Sequence, residues 1–169
     1  MPRVVLYQPQ IPPNTGNVAR TCAAMAQELH LIEPLGFEIS DRTVRRAGLD
    51  YWPYVNLSVH PNWTAFHALR QSLGGRLIAL SAHAATSYTQ FTFRSDDWLL
   101  FGRETDGLPD GVMHEASNRL TIPMARSRHH QDGGVRSLNL AVSVGVVLLE
   151  SLRQLDNELS DPCEDQRSC

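Results

Sequence analysis

The chain has 169 residues, 42% of them hydrophobic, and a formal net charge of −3 at pH 7. That is enough for one domain with a full core and too little for two ordinary ones. No run of apolar residues approaches the ~18 needed to span a bilayer, and no basic-then-apolar leader is visible, so a soluble, cytoplasmic protein with no membrane association is expected.

Apolar runs rich in β-branched residues predict strands at Arg3 to Tyr7, Leu29 to Ile32, Val55 to His60, Arg76 to Ala82, Trp98 to Phe101 and Arg119 to Pro123. Between them, helical patterns cover Asn14 to Ala26, Ser40 to Ala47, Asn62 to Leu73, Leu108 to Ala116 and Arg136 to Leu155. Asn14, after Pro12-Pro13, and Asp41 are placed to accept hydrogen bonds from the free N–H groups of a first helical turn. The alternation predicts an α/β domain, with a mostly parallel sheet and flanking helices. The last helix is apolar on nearly every side, which predicts a central helix or one that completes a subunit interface, and favours a homodimer. Past Leu155 the chain turns polar, so the domain is read as 1–155 with an acidic, disordered tail at 156–169.

That tail holds Asp156, Glu158, Asp161, Glu164 and Asp165 against Arg167, leaving the rest of the chain near neutral. Every basic side chain besides histidine is arginine, which suits bidentate contact with phosphate. Arg42, Arg45 and Arg46 form one cluster; Arg126, Arg128 and Arg136 with His129 and His130 form another. Either could track a nucleic-acid backbone or be a solvated face. Cys22, Cys163 and Cys169 lack C-x-x-C spacing, and Cys22, among Ala23, Ala24 and Met25, reads as a small core residue. No partners at ligand spacing accompany His129-His130, so no metal is expected.

Ligands of parallel sheets bind beyond the carboxyl ends of strands, which directs attention to the segments after Tyr7, Leu80, Phe101 and Pro123. The first is a proline-containing loop, Gln8 to Pro13, feeding Asn14-Thr15-Gly16-Asn17-Val18-Ala19-Arg20. Asn17 and Arg20 share a helix face; such an arginine could hold a phosphate, sit beside a ribose hydroxyl, or be solvated. The second, Phe101-Gly102-Arg103-Glu104-Thr105-Asp106-Gly107-Leu108-Pro109, has glycines for a tight turn and close backbone approach. Its two acids and the lack of a Gly-Lys-Ser/Thr ending favour a neutral or cationic ligand over phosphate, and an ordinary strand-to-helix turn remains open. The third joins Thr121-Ile122-Pro123-Met124 to Ser137-Leu138-Asn139, where Ser137 could cap the last helix, touch a ligand, or both. Tyr51, Trp52 and Tyr54 could stack on bases or pack the core.

Together with Arg45-Arg46-Ala47-Gly48-Leu49-Asp50-Tyr51, these segments resemble the SPOUT methyltransferase superfamily, and within it the TrmL-type tRNA (cytidine(34)-2′-O)-methyltransferases, over about residues 3 to 155. The resemblance implies a deep C-terminal trefoil knot, S-adenosylmethionine (AdoMet) as methyl donor, a homodimer with its site at the subunit interface, and tRNA, through its anticodon stem-loop, as substrate. Carried over position by position, it implies AdoMet contacts at Leu80, Gly102, Ile122 and Ser137, with Ser81, Glu104, Gly107, Met124 and Leu138 nearby. It implies Arg20 as catalytic residue, with Asn17 beside it, and Asn14, Arg45, Arg46, Arg126, Arg128 and Arg136 toward RNA. The function implied is 2′-O-methylation of the wobble nucleotide, a cytidine or modified uridine at position 34. Methylation of another tRNA or rRNA ribose, or a non-catalytic RNA-binding relative, are the alternatives. A ribose hydroxyl is a poor nucleophile facing an already activated methyl group, so alignment and charge stabilisation matter most; a guanidinium suits the latter better than proton abstraction. The chain departs from the family in the longer, basic loop Ala125 to Val135 and in Arg103 and Asp106 of the glycine turn.

Overall fold

The computed structural model describes residues 1–37, 51–124, 135 and 137–155. Its order is β1 (Arg3–Tyr7), α1 (Pro12–Ala24), β2 (Glu28–Ile32), a 3-10 turn (Trp52–Tyr54), β3 (Asn56–His60), α2 (Trp63–Leu73), β4 (Leu77–Leu80), β5 (Thr86–Ser87), a second 3-10 turn (Tyr88–Gln90), β6 (Trp98–Phe101), α3 (Asp110–His114), β7 (Asn118–Thr121) and α4 (Leu140–Leu155).

The seven strands form one sheet in the order β3-β2-β1-β6-β4-β7-β5, and every pairing is parallel. Such a sheet must be covered on both faces, which is why its central strands read as unbroken apolar runs. Alternate residues serve opposite layers. Val4, Leu6, Leu99 and Phe101 pack with Val18, Ala19 and Cys22 of α1 and Val144, Val147, Leu148 and Leu152 of α4. Val5, Tyr7, Trp98 and Leu100 meet Phe66 of α2 and Val112 of α3 on the other face. Trp98 is fully buried, and removing such a side chain costs about 3–5 kcal/mol. Burial pushes the Cys22 thiol up to about 12, the behaviour of a small apolar core residue.

The structure corrects several sequence expectations. α1 begins at Pro12, with Ile11 at its N-cap and no side-chain cap bond; Asn14 lies inside the first turn, only 7% exposed. α4 starts at Leu140, and Asn139 caps it by accepting from the Ala141 N–H at 2.8 Å, while Ser137 is exposed ahead of it. Nor is α4 buried all round within the chain: Val142 and Leu149 are 50% and 46% exposed. β5 was not anticipated. The expected helix at Ser40 to Ala47, the cap Asp41, Asp50, the loop Ala125 to Gly134, Arg136 and the tail lie outside the described residues. So therefore do Arg42, Arg45, Arg46, Arg126, Arg128, His129 and His130.

Candidate active site

Because all strands run the same way and β1, β6, β4 and β7 are neighbours, the segments that follow them lie along one edge of the sheet. The proline loop and α1 leave β1, Ser81 leaves β4, the glycine turn leaves β6, and Ile122-Pro123-Met124 leaves β7.

Glu104 ties these segments together. Its carboxylate accepts from the backbone N–H groups of Gln10 at 2.9 Å and Ile11 at 3.2 Å, and from the Asn14 side-chain amide at 3.1 Å. It supplies acceptors and a negative charge at the start of a helix whose own cap residue offers none. The Asn14 carbonyl oxygen accepts in turn from the Asn139 amide at 2.9 Å, so the first turn of α1, the glycine turn and the start of α4 share one hydrogen-bond network. Asn14, expected to face RNA, is instead buried and uses both ends of its amide here.

The glycine turn closes on itself through reciprocal backbone hydrogen bonds of 3.0 Å between Arg103 and Gly107. A Cβ on Gly102 would sit 2.3 Å from the Gly107 carbonyl carbon, and Gly107 has φ +71°, a left-handed conformation suited to glycine. Arg103 forks onto Asp106 at 2.7 and 2.6 Å and donates to the Gln8 side chain at 2.9 Å. This pairing, with the Thr105 hydroxyl, holds the Asp106 carboxyl below its ordinary range. Both acids of the turn therefore have partners within the protein. Arg103 and Asp106, where the glycine turn departs from the family pattern, form a staple across the turn.

Around this edge, Leu80, Gly102, Ile122, Gly107 and Met124 are half-buried, as is Ser81, whose N–H donates to the Leu120 carbonyl at 2.9 Å. Leu80, at the end of β4, and Ile122, just past β7, pack against the core. Ser137 and Leu138, just ahead of α4, are exposed. The site thus offers half-buried apolar side chains beside a tight glycine turn, a fit to the flat adenine and small polar groups of a nucleoside cofactor.

Arg20 and Asn17 are exposed on α1. The Arg20 guanidinium carbon lies 5.5 Å from the Tyr51 ring centroid, and the Tyr51 hydroxyl donates to the Gly16 carbonyl at 2.9 Å. Tyr51 and Trp52 pack against the core, whereas Tyr54 is 77% exposed. Among the described residues no group of three or more His, Cys, Asp or Glu could hold a metal ion, and no helix is long and apolar enough to cross a membrane. Gln8, Gln10 and Asn139 lie in the candidate segments, but sequence reading assigned none of them a role in the site. Asn139 was visible as a hydrogen-bonding residue opening an apolar helix, in a segment that carries the resemblance, and the two glutamines carried no signal of their own.

Residues 1–149 match the SpoU rRNA Methylase family. A tRNA (cytidine(34)-2′-O)-methyltransferase from Beijerinckia indica is 47% identical over 152 residues, covering 90% of this chain and 91% of its own. One of the same name from Methylovorus glucosotrophus is 42% identical over 155 residues, with 90% and 95% covered. A solved structure described as giving insights into the 2-OH methylation of C/U34 on tRNA superposes with a TM-score of 0.81 at 50% identity, over 92% of this chain and 96% of that one. An AdoMet-bound rRNA methyltransferase from Sinorhizobium meliloti gives a TM-score of 0.77 at 26% identity, over 92% of this chain and 57% of that longer one.

Proposed function

The chain belongs to the SpoU rRNA Methylase family, and from that premise we propose that it methylates the ribose 2′-hydroxyl of nucleotide 34, a cytidine or modified uridine, in the anticodon loop of tRNA. The observation that carries this reading is the network of Glu104, Asn14 and Asn139, which fixes the helix bearing Arg20 against the turn assigned to the cofactor. Relatives named for this reaction span nearly the whole chain.

AdoMet, when bound, supplies a methyl group already activated by its sulfonium. Leu80, Ile122 and Leu138 offer it apolar contact; the Gly102 backbone lies at close range in a turn that Gly107 closes through its own bonds to Arg103, with Ser81, Met124 and Ser137 at the margin. Glu104 serves that site by bracing the turn. Arg20 pairs with the phosphate beside the acceptor nucleotide and stabilises the alkoxide that develops as the 2′-hydroxyl reacts, Asn17 lying on the same face. Charge stabilisation is its part because a guanidinium has no site to accept a proton. Arg45, Arg46, Arg126, Arg128 and Arg136 extend the phosphate contacts, while Asn14 contributes indirectly by holding α1.

The same reading takes residues 1–155 as one methyltransferase domain with the knotted C-terminal half of the superfamily. It is supported by β6 and β7 flanking the earlier β4 and by Val144, Val147 and Leu148 of α4 sharing a core with Val18 and Cys22 of α1. It takes the working form as a homodimer, supported by the apolar face of α4 left open at Val142 and Leu149, and the cytoplasm as its place of action, where tRNA is. Arg20→Ala tests the reading: AdoMet affinity measured by calorimetry stays near wild type while methyl transfer to tRNA is largely lost, leaving a small residual rate. Equal loss of cofactor binding would instead place Arg20 in the cofactor site or the fold.

A further inference from the structure

We propose that Tyr51 is a positioning residue for Arg20, holding the guanidinium in place over the acceptor ribose; this rests on the role assigned to Arg20 above. An exposed arginine gives up much rotamer freedom to stand in one place, so a cation that must meet a single hydroxyl gains from a fixed surface beneath it.

Tyr51 provides that surface with two attachments to the same helix. Its hydroxyl donates to the Gly16 carbonyl at 2.9 Å, one turn before Arg20, and its ring lies 5.5 Å from the Arg20 guanidinium carbon, within cation–π range. Its own backbone is set by the 3-10 turn that follows, where the Tyr54 N–H donates to the Tyr51 carbonyl at 3.0 Å. Its half-buried ring packs against the core cluster that includes Val18 and Ala19 of α1. The ring is thus referenced to the body of the protein and to the helix at once. Among the described residues no carboxylate pairs with Arg20, so the aromatic face orients the cation without neutralising it. A ring occupied in this way is a poorer platform for a nucleobase, and the base-stacking alternative gives way to the positioning one.

The test is steady-state methyl transfer to tRNA with AdoMet affinity measured in parallel. Tyr51→Leu is expected to lower kcat by roughly tenfold, the order a partly desolvated cation–π contact supports, with KM for tRNA and AdoMet affinity little changed. Tyr51→Phe keeps the ring and retains most of kcat. In an Arg20→Ala background, Tyr51→Leu should cost nothing more, since both changes act through one cation. A series of increasingly fluorinated phenylalanines at position 51 guards against misfolding, because size is nearly constant while the attraction of the ring face declines; kcat should fall stepwise along it. A flat fluorine series, additive losses in the double variant, or a loss that follows AdoMet affinity would overturn the proposal. Wild-type turnover in Arg20→Ala alone would overturn the role of Arg20 itself.

Discussion

Glu104 does for the first turn of α1 what Ile11, with no polar side chain, cannot, and it does so from a loop more than ninety residues away in sequence. Glu104→Ala should lower stability by about 1–2 kcal/mol, the order of losing charge-assisted hydrogen bonds at a partly exposed position; Glu104→Gln should lose less. Equilibrium urea unfolding reads both, and an alanine variant as stable as wild type would mean that water replaces the carboxylate at no cost. At Gly102 the constraint is space, since a Cβ would land 2.3 Å from the Gly107 backbone. Gly102→Ala should therefore weaken AdoMet binding by more than tenfold as the turn opens, and calorimetry with an unchanged affinity would contradict that. Arg20, Gly102 and Glu104 stood out in the sequence through the resemblance of their segments to the SPOUT methyltransferases; their residue types alone also fitted a solvated helix face and an ordinary strand-to-helix turn. Tyr51 and Asn139 did not stand out in their roles: their partners are 35 residues away at Gly16 and 125 away at Asn14, and only folding brings them together.

Among the elements, the strands were the most legible, because a strand buried on both faces must be apolar throughout; β1 and β6 have the bounds their patterns predict. The two residues of β5 carry no pattern, and the helix starts shifted because the groups satisfying them are remote, as Glu104 is for α1, or two positions along, as Asn139 is from Ser137. β2 and β3 also share a buried pair that periodicity does not reveal. His30 Nδ1 lies 3.0 Å from His60 Nε2, and His30 Nε2 lies 3.2 Å from Glu28, which pairs with Arg3. The rings are stacked 5.3 Å apart, beside Phe66 and Trp98. Burial lowers both imidazoles from their ordinary value, Glu28 opposing this at His30 while the mutual repulsion of the two rings and Arg3 add to it. The unfolded chain then binds protons that the folded chain does not. Stability is full above the unfolded histidine value near pH 6.5 and declines as pH falls through it toward the lower folded values. Urea unfolding between about pH 8 and about pH 5 should show that decline, and His60→Gln should flatten it. Stability that holds or rises on acidification would refute the neutral pair.

For the molecule as a whole, the last helix reads as apolar on nearly every side, and within the chain one side of α4 is buried and another is not. Val142 and Leu149, about half exposed, are the surface on which the proposed homodimer would close. Val142→Glu with Leu149→Arg should give a monomer by sedimentation velocity and abolish methyl transfer, the proposed site needing both subunits; a dimer of unchanged size would place the interface elsewhere. The central claim is tested most directly by the product. Total tRNA from cells lacking this gene is incubated with the enzyme and labelled AdoMet, digested, and the methylated nucleoside mapped. The account predicts one methyl group on the 2′-oxygen of nucleotide 34. A methyl group on a base, or no transfer to tRNA, would contradict it.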